Sequence, residues 1–481
     1  MVENIKQLFN IFFIVTSLLS LFIVVIKHGT LSSGYESLFI LPAFYAISTT
    51  ILMNMFFNKG FNFTLLGIVF MQWIRFVLLP ILLALSNGKE GFNYINPSAI
   101  SLNLSIFLMV VELFASYIFA AILFMYFLNK SSNGKIKDNQ PTSLLGNYYI
   151  YFVFVLFSIF ILIFKGIPEG VVRFFYIAID GTNGRVGDNK ETSNVLIQYI
   201  ITSGAFVFFM ITTWHMYELY KKNGKRIYYY ISLIAALYNV SIIVGERRTA
   251  QIYIAIVTIY ILIQLYPKFK KNIIFTICGV AFVILLFMSI YKFFGAFATG
   301  SYITAIQNSN NDISFWARTF QSYYFGPENI ASVIEFSDKH QLDMKQLFYD
   351  NLRSIFGINF LIDKSAYVTS QIYNLYIYKG VQTTGHVISS VGYGYLYFGI
   401  YFSSFFACFN IFISTLLERM AKHSDKIEVK FILTYLLIRF CTNLYVNSPA
   451  LITFSTILLG TTGLVVMFSS IFKNRKSLKG Y

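Results

Sequence analysis

Stretches of mostly apolar residues, each near the length of a bilayer-crossing helix, recur twelve times along this chain. They start close to residues 8, 37, 63, 100, 147, 195, 227, 250, 273, 386, 429 and 450. A hydrocarbon core of roughly 30 Å needs about 20 such residues per helical crossing, so the repetition leaves no room for a soluble domain of ordinary size. The 481 residues are 57% hydrophobic and only 12% charged, which fits a chain that lives mostly in an apolar solvent. The expectation is an all-α polytopic membrane protein of about twelve transmembrane helices, a single integral membrane domain over residues 1–481.

The first apolar run, Leu8 to Ile26, lacks a basic flank followed by a small-residue cleavage site, so it reads as a retained helix rather than a signal sequence. Cys278, Cys408 and Cys441 all fall inside apolar runs, with no spacing that suits a disulfide framework or a thiolate metal site. They are expected as small core residues, and no metal or other cofactor is expected.

A net charge of +16 suggests nucleic acid in a soluble chain, but its distribution here has another meaning. With the amino terminus in the cytoplasm and sides alternating, the inward connections hold twenty basic residues against six acidic ones, while the outward connections are nearly balanced. The inward set includes Lys130, Lys135 and Lys137, then Lys221, Lys222, Lys225 and Arg226, and the tail from Lys473 to Lys479. An excess of this kind reports topology through the positive-inside rule. Both termini are therefore placed in the cytoplasm, and no nucleic-acid partner is needed.

Most connections are short, but two outward ones are long: residues 165–194 and residues 292–385. Long loops are usually functional. Within the second, MKQLFYDNLRSIFGINFLI places Leu347, Phe348, Leu352, Ile355 and Phe356 at helical spacing, which predicts a helix that either caps the bundle or lies in the membrane interface.

Charges kept near the bilayer are the candidates for chemistry, because a charge at a helix centre costs about 2.5 to 3.5 kcal/mol on insertion scales. In IVGERRTAQ, Glu246, Arg247 and Arg248 form a tight turn between two apolar runs on the outward side. A guanidinium matches phosphate oxygens through two parallel N–H bonds, and the dipole of a helix starting at about Thr249 favours an anion at the same place. Snorkelling of one arginine to headgroups, with Glu246 paired to the other, is the alternative. Arg75 and Glu112 lie at comparable depth in neighbouring runs and are expected to pair. Arg439, in the outer half of its run, is a further candidate for the anion. In the long loops Arg173, Arg185, Arg318 and Arg353 extend the basic surface, and Arg318 stands out for the aromatic residues around it.

The stretch TTGHVISSVGYGYLYFGIYFSSFF opens the tenth run, with His386 at its outer end and Gly392, Gly394 and Gly399 following. An imidazole there can take a proton from an attacking hydroxyl or bond a phosphate. The glycines let a backbone or ligand come close.

Taken together, the many spans, two long outward loops, the GERRTA helix start, Arg318, and His386 followed by Gly394 resemble the Wzy-type bacterial polysaccharide polymerases and the related O-antigen ligases. An Arg-x10-Gly pattern seen in some of these polymerases also runs from Arg173 to Gly184, although Asn329 and Lys364 stand at that offset after Arg318 and Arg353. The resemblance covers nearly the whole chain. It implies a GT-C-like membrane glycosyltransferase, inverting and metal-independent, in the bacterial cytoplasmic membrane. Its donor and acceptor would be glycans linked to undecaprenyl diphosphate, and a chain-length regulator would be a possible partner. Arg248 and Arg318, with Arg247, Arg439 and Arg173, would bind the diphosphate, and His386 would orient or deprotonate the acceptor hydroxyl. An O-antigen-type ligase is the nearest alternative enzyme, and a flippase or exporter of lipid-linked oligosaccharide the alternative of another class.

Overall fold

The computed structural model describes residues 2–57, 59–88, 95–130, 138–164, 192–241, 248–294, 301–309 and 312–478. Among the described residues the secondary structure is helical, with only isolated bridges and no strand. Six helices are long and apolar enough to cross a membrane: Lys6–Thr30, Asn62–Leu85, Ala99–Asn129, Ile197–Asn223, Pro267–Ile290 and Ser448–Lys473. Shorter apolar helices cover Ile40–Phe56, Tyr148–Phe164, Ile227–Ser241 and Ala250–Leu265. The helices gather into two compact units.

The first unit comprises Met1–Lys137, Asn311–Arg419 and Arg439–Ser455. Its helices Val2–Lys27, Ile40–Phe56, Asn62–Leu85 and Ala99–Asn129 enclose a core that includes Tyr45, Leu65, Phe76, Leu83, Leu113 and Phe124. Apolar burial does little to associate helices in lipid, so close approach and polar pairs matter more. Both are present. A Cβ on Gly67 would sit 2.7 Å from that of Cys441, so only glycine permits the approach. The Glu418 carboxylate accepts from the backbone N–H groups of Phe63 and Thr64 at 3.1 and 2.9 Å, which caps the helix that begins at Asn62. That helix carries a π turn at Ile74–Leu78, which includes Arg75.

The same unit holds most of the second long connection, and helices occupy much of it: Ile313–Tyr323, Pro327–Lys339, Met344–Ser354 and Thr369–Ile377. They share a core of Val333, Phe336, Leu347, Tyr373, Ile377, Ile388 and Tyr393.

Three expectations need correction. The tenth apolar run does not form one helix from its start. A short buried helix, Ser390–Phe398, ends at Gly399 with φ of 69°, and the long helix follows at Phe405–His423. The left-handed backbone at Gly399 is open to glycine and stops the helix. The helix at Met344 closes at Ser354, because Ile355 is extended, so Ile355 and Phe356 fall outside it. Cys278 is exposed on its helix, while Cys408 is half-buried and Cys441 buried; all three are free thiols.

The second unit comprises Asp138–Asn310, Met420–Ile438 and Thr456–Tyr481. Two buried charges organise one end of it. Glu428 accepts from the N–H groups of Leu145 and Gly146 and from the Tyr151 hydroxyl, at 3.0 to 3.1 Å. Lys430 donates to Asp138 at 2.6 Å and to the Asn139 carbonyl, while Tyr260 and Gln264 bond the other Asp138 oxygen. A buried ammonium needs this degree of pairing to be tolerated.

Candidate functional site

Asp312 opens the helix Ile313–Tyr323 by accepting from the Phe315 N–H at 2.8 Å. Four residues separate Arg318 from Ser322, which puts both on one face a single turn apart, within about 6 Å at their Cβ atoms. Arg318 is exposed. The helix ends at a sharp corner: Phe325 has φ of 56°, Gly326 is hemmed in so that a Cβ would lie 2.4 Å from Gln321 Oε1, and Pro327 starts the next helix.

His386 comes to this helix from the chain segment before Ser390–Phe398. Its Nδ1 lies 3.0 Å from the Ser322 hydroxyl, and its ring stacks on Tyr378 with centroids 5.5 Å apart. Asn374 grips its backbone from both sides, accepting from the His386 N–H at 2.7 Å and donating to the His386 carbonyl at 2.9 Å. Asn329 donates to the next carbonyl, that of Val387, at 3.3 Å. Burial pulls the imidazole down to about 4 from its ordinary 6.5, so it is neutral at physiological pH. A neutral imidazole can accept a proton, and Ser322 fixes the ring whichever tautomer is present.

Below this lies a buried ion pair. Arg75 Nη1 donates to Glu112 Oε2 at 2.7 Å, with both side chains fully buried. Arg75 Nη2 reaches the carbonyl of Phe325 at 3.4 Å, and its guanidinium lies 4.5 Å from the Tyr445 ring centroid. The other Glu112 oxygen accepts from Ser390 Oγ at 2.6 Å. The pair expected from sequence is therefore present, and it does more than neutralise two charges. One partner holds the corner three residues after Ser322; the other holds the helix start four residues after His386.

Of the residues singled out from sequence, the fold sets Arg318 one helical turn from Ser322, the residue that His386 contacts. Arg439 lies with its guanidinium 3.5 Å from the ring centroid of Phe454. Arg248 begins the helix Arg248–Leu265, in the other unit, and its side chain lies outside the described residues. Arg173 and Arg247 also lie outside them. Gly394 admits backbone rather than ligand: a Cβ there would stand 2.0 Å from the Ser403 carbonyl oxygen. Ser322, Asn374 and Tyr378 were not singled out. Single serine and asparagine residues within a long connection carry no sequence signal of this kind, and only the fold brings 322, 374 and 386 together.

Among the described residues, the fold and these contacts define an all-helical protein with helices suited to a bilayer and a folded segment between them that carries a neutral, half-buried histidine. Comparison with protein-family models, with curated proteins and with solved structures finds no match.

Proposed function

We propose that this protein is a membrane glycosyltransferase that polymerises oligosaccharide repeat units carried on undecaprenyl diphosphate. The observation that supports it most is the Ser322–His386 contact with Arg318 one turn away on the same helix face. In this reading His386 supplies the proton acceptor and Arg318 the permanent cation that inverting transfer from a diphosphate calls for.

In this reading an acceptor hydroxyl attacks the anomeric carbon of the donor glycan while His386 takes the hydroxyl proton. The new C–O bond forms as the bond to the lipid diphosphate breaks, and undecaprenyl diphosphate leaves with the electron pair. Arg318 meets the charge that grows on the departing oxygen, which lowers the barrier more than it stabilises the ground state. Arg248, Arg247, Arg173 and Arg439 are proposed to complete the diphosphate site. The finer architecture belongs to the same proposal: twelve crossings, a GT-C-like arrangement, the bacterial cytoplasmic membrane, both termini in the cytoplasm, and reaction on the outer face without a metal.

The test uses the purified full chain in liposomes with its cognate lipid-linked repeat unit. A ladder of lengthening glycans with release of undecaprenyl diphosphate is expected. Transfer of glycan to a different acceptor without a ladder would indicate a ligase, and relocation of intact substrate across the bilayer would indicate a flippase.

A further inference from the structure

The helix Met344–Ser354 presents two unlike faces. Leu347 and Asp350 point into the unit, where Asp350 accepts from Gln346 Nε2, the Thr369 N–H and the Tyr393 hydroxyl at 2.8 to 3.0 Å. On another face, Met344, Phe348 and Leu352 are exposed at spacing of four, a continuous stripe along the helix. Past the helix the apolar surface continues: Phe360 is 62% exposed and Leu361 87%. A soluble protein rarely leaves such a surface in water.

The helix is fixed relative to a membrane-spanning element. Asn351 Oδ1 accepts from the hydroxyl of Ser448 at 3.1 Å, and Ser448 is the first residue of the candidate span Ser448–Lys473. A residue that begins a span lies at the boundary between hydrocarbon and headgroups, so Asn351 marks the depth of its helix. On a helical wheel Asn351 falls between buried Leu347 and the exposed stripe, on the side of Met344 and Phe348. Cations flank the stripe. Lys345 is exposed, and exposed Lys364 has its ammonium 5.5 Å from the Phe360 ring centroid. The nearby carboxylates are already engaged, Asp343 with the Gln346 N–H and Asp363 with Ser365.

We infer that Met344, Phe348, Leu352, Phe360 and Leu361 form a surface that dips into the lipid leaflet at the Ser448 end of the span, with Lys345 and Lys364 on headgroup phosphates. An amphipathic helix whose apolar side chains enter the acyl boundary and whose lysines remain at the phosphates is the expected geometry for such an element. The occupant is the bilayer itself. Because Asp350 on the opposite face also bonds Tyr393, the lipid contact is mechanically continuous with the helix that follows His386. The inference is independent of the proposed glycosyl transfer.

Phe348→Trp and Leu361→Trp, each in the full chain reconstituted in bilayers, test it, with the wild-type signal of the three native tryptophans subtracted. In lipids brominated along the acyl chain, about half or more of the added emission should be lost, and the emission should be blue-shifted. Added emission that is open to aqueous iodide and untouched by bromine would overturn the inference. Emission shielded from both quenchers would also overturn it, since a second copy or another protein would then cover the stripe. Both positions are exposed, so a single symmetric size-exclusion peak serves as the check that each variant folds.

Discussion

Glu112 binds Arg75 at 2.7 Å with one carboxylate oxygen and receives the Ser390 hydroxyl at 2.6 Å with the other. A side chain buried in a membrane-length helix is thus joined both to a guanidinium and to the start of the helix behind His386. Removing one partner of a buried pair leaves an uncompensated charge, which costs roughly 3 to 5 kcal/mol. Glu112→Ala should therefore lower the thermal midpoint in detergent sharply. Replacing both partners with apolar residues of similar size, as in Arg75→Met with Glu112→Leu, should recover most of that stability. The same double variant should still lose glycan elongation, because Phe325 and Ser390 would no longer be held. Full elongation by the double variant would show that the brace has no bearing on the site.

His386→Ala and Arg248→Ala should each abolish glycan elongation while protein levels stay normal. Ser322→Ala removes one hydrogen bond to the ring, worth about 1 kcal/mol, so the rate should fall several-fold rather than vanish. Arg318→Lys keeps the charge but loses the planar fork, and should lower kcat less than Arg318→Ala does. Steady-state kinetics on the lipid-linked repeat unit separates these cases.

Burial keeps the His386 imidazole near 4, against an ordinary 6.5. The elongation rate should stay level from neutral pH down past 6.5 and decline only towards 4, as the base becomes protonated. Stability follows the same group. The folded value lies below the unfolded one, so the unfolded chain takes up the proton first. The contribution is complete above 6.5 and is lost as pH falls from 6.5 through 4. The drop in thermal midpoint between about pH 7 and about pH 5 should be larger for the wild type than for His386→Asn, which carries no titrating group there.

Gly394→Ala should destabilise the protein well beyond the usual surface substitution, by roughly 2 kcal/mol or more. The added Cβ would meet the Ser403 carbonyl at 2.0 Å, and both partners are backbone, so neither can rotate away. Gly399→Ala is different. Space is open around it, but its φ of 69° penalises a side chain, and a cost of roughly 1 kcal/mol is expected. Thermal unfolding of the two variants side by side gives the ranking.

The sequence by itself determined the solvent, since apolar runs of span length admit little but helices in lipid, and it determined that Arg75 and Glu112 would be neighbours, because two unlike charges at similar depth have no cheaper partner. It also marked Arg318 and His386 through residue chemistry. What the tertiary structure decided is everything that depends on long-range pairing. The helix at Ser390–Phe398, which stops at Gly399, is hidden within a continuous apolar run, because hydropathy records burial and not backbone direction. The exposure of Phe348 and Leu352 beside buried Leu347 is equally hidden, since helical spacing places residues on faces without saying which face meets protein and which meets lipid. Ser322, Asn374 and Tyr378 acquire their meaning only when 64, 12 and 8 residues of chain fold back to His386, and no local preference encodes a meeting of that kind.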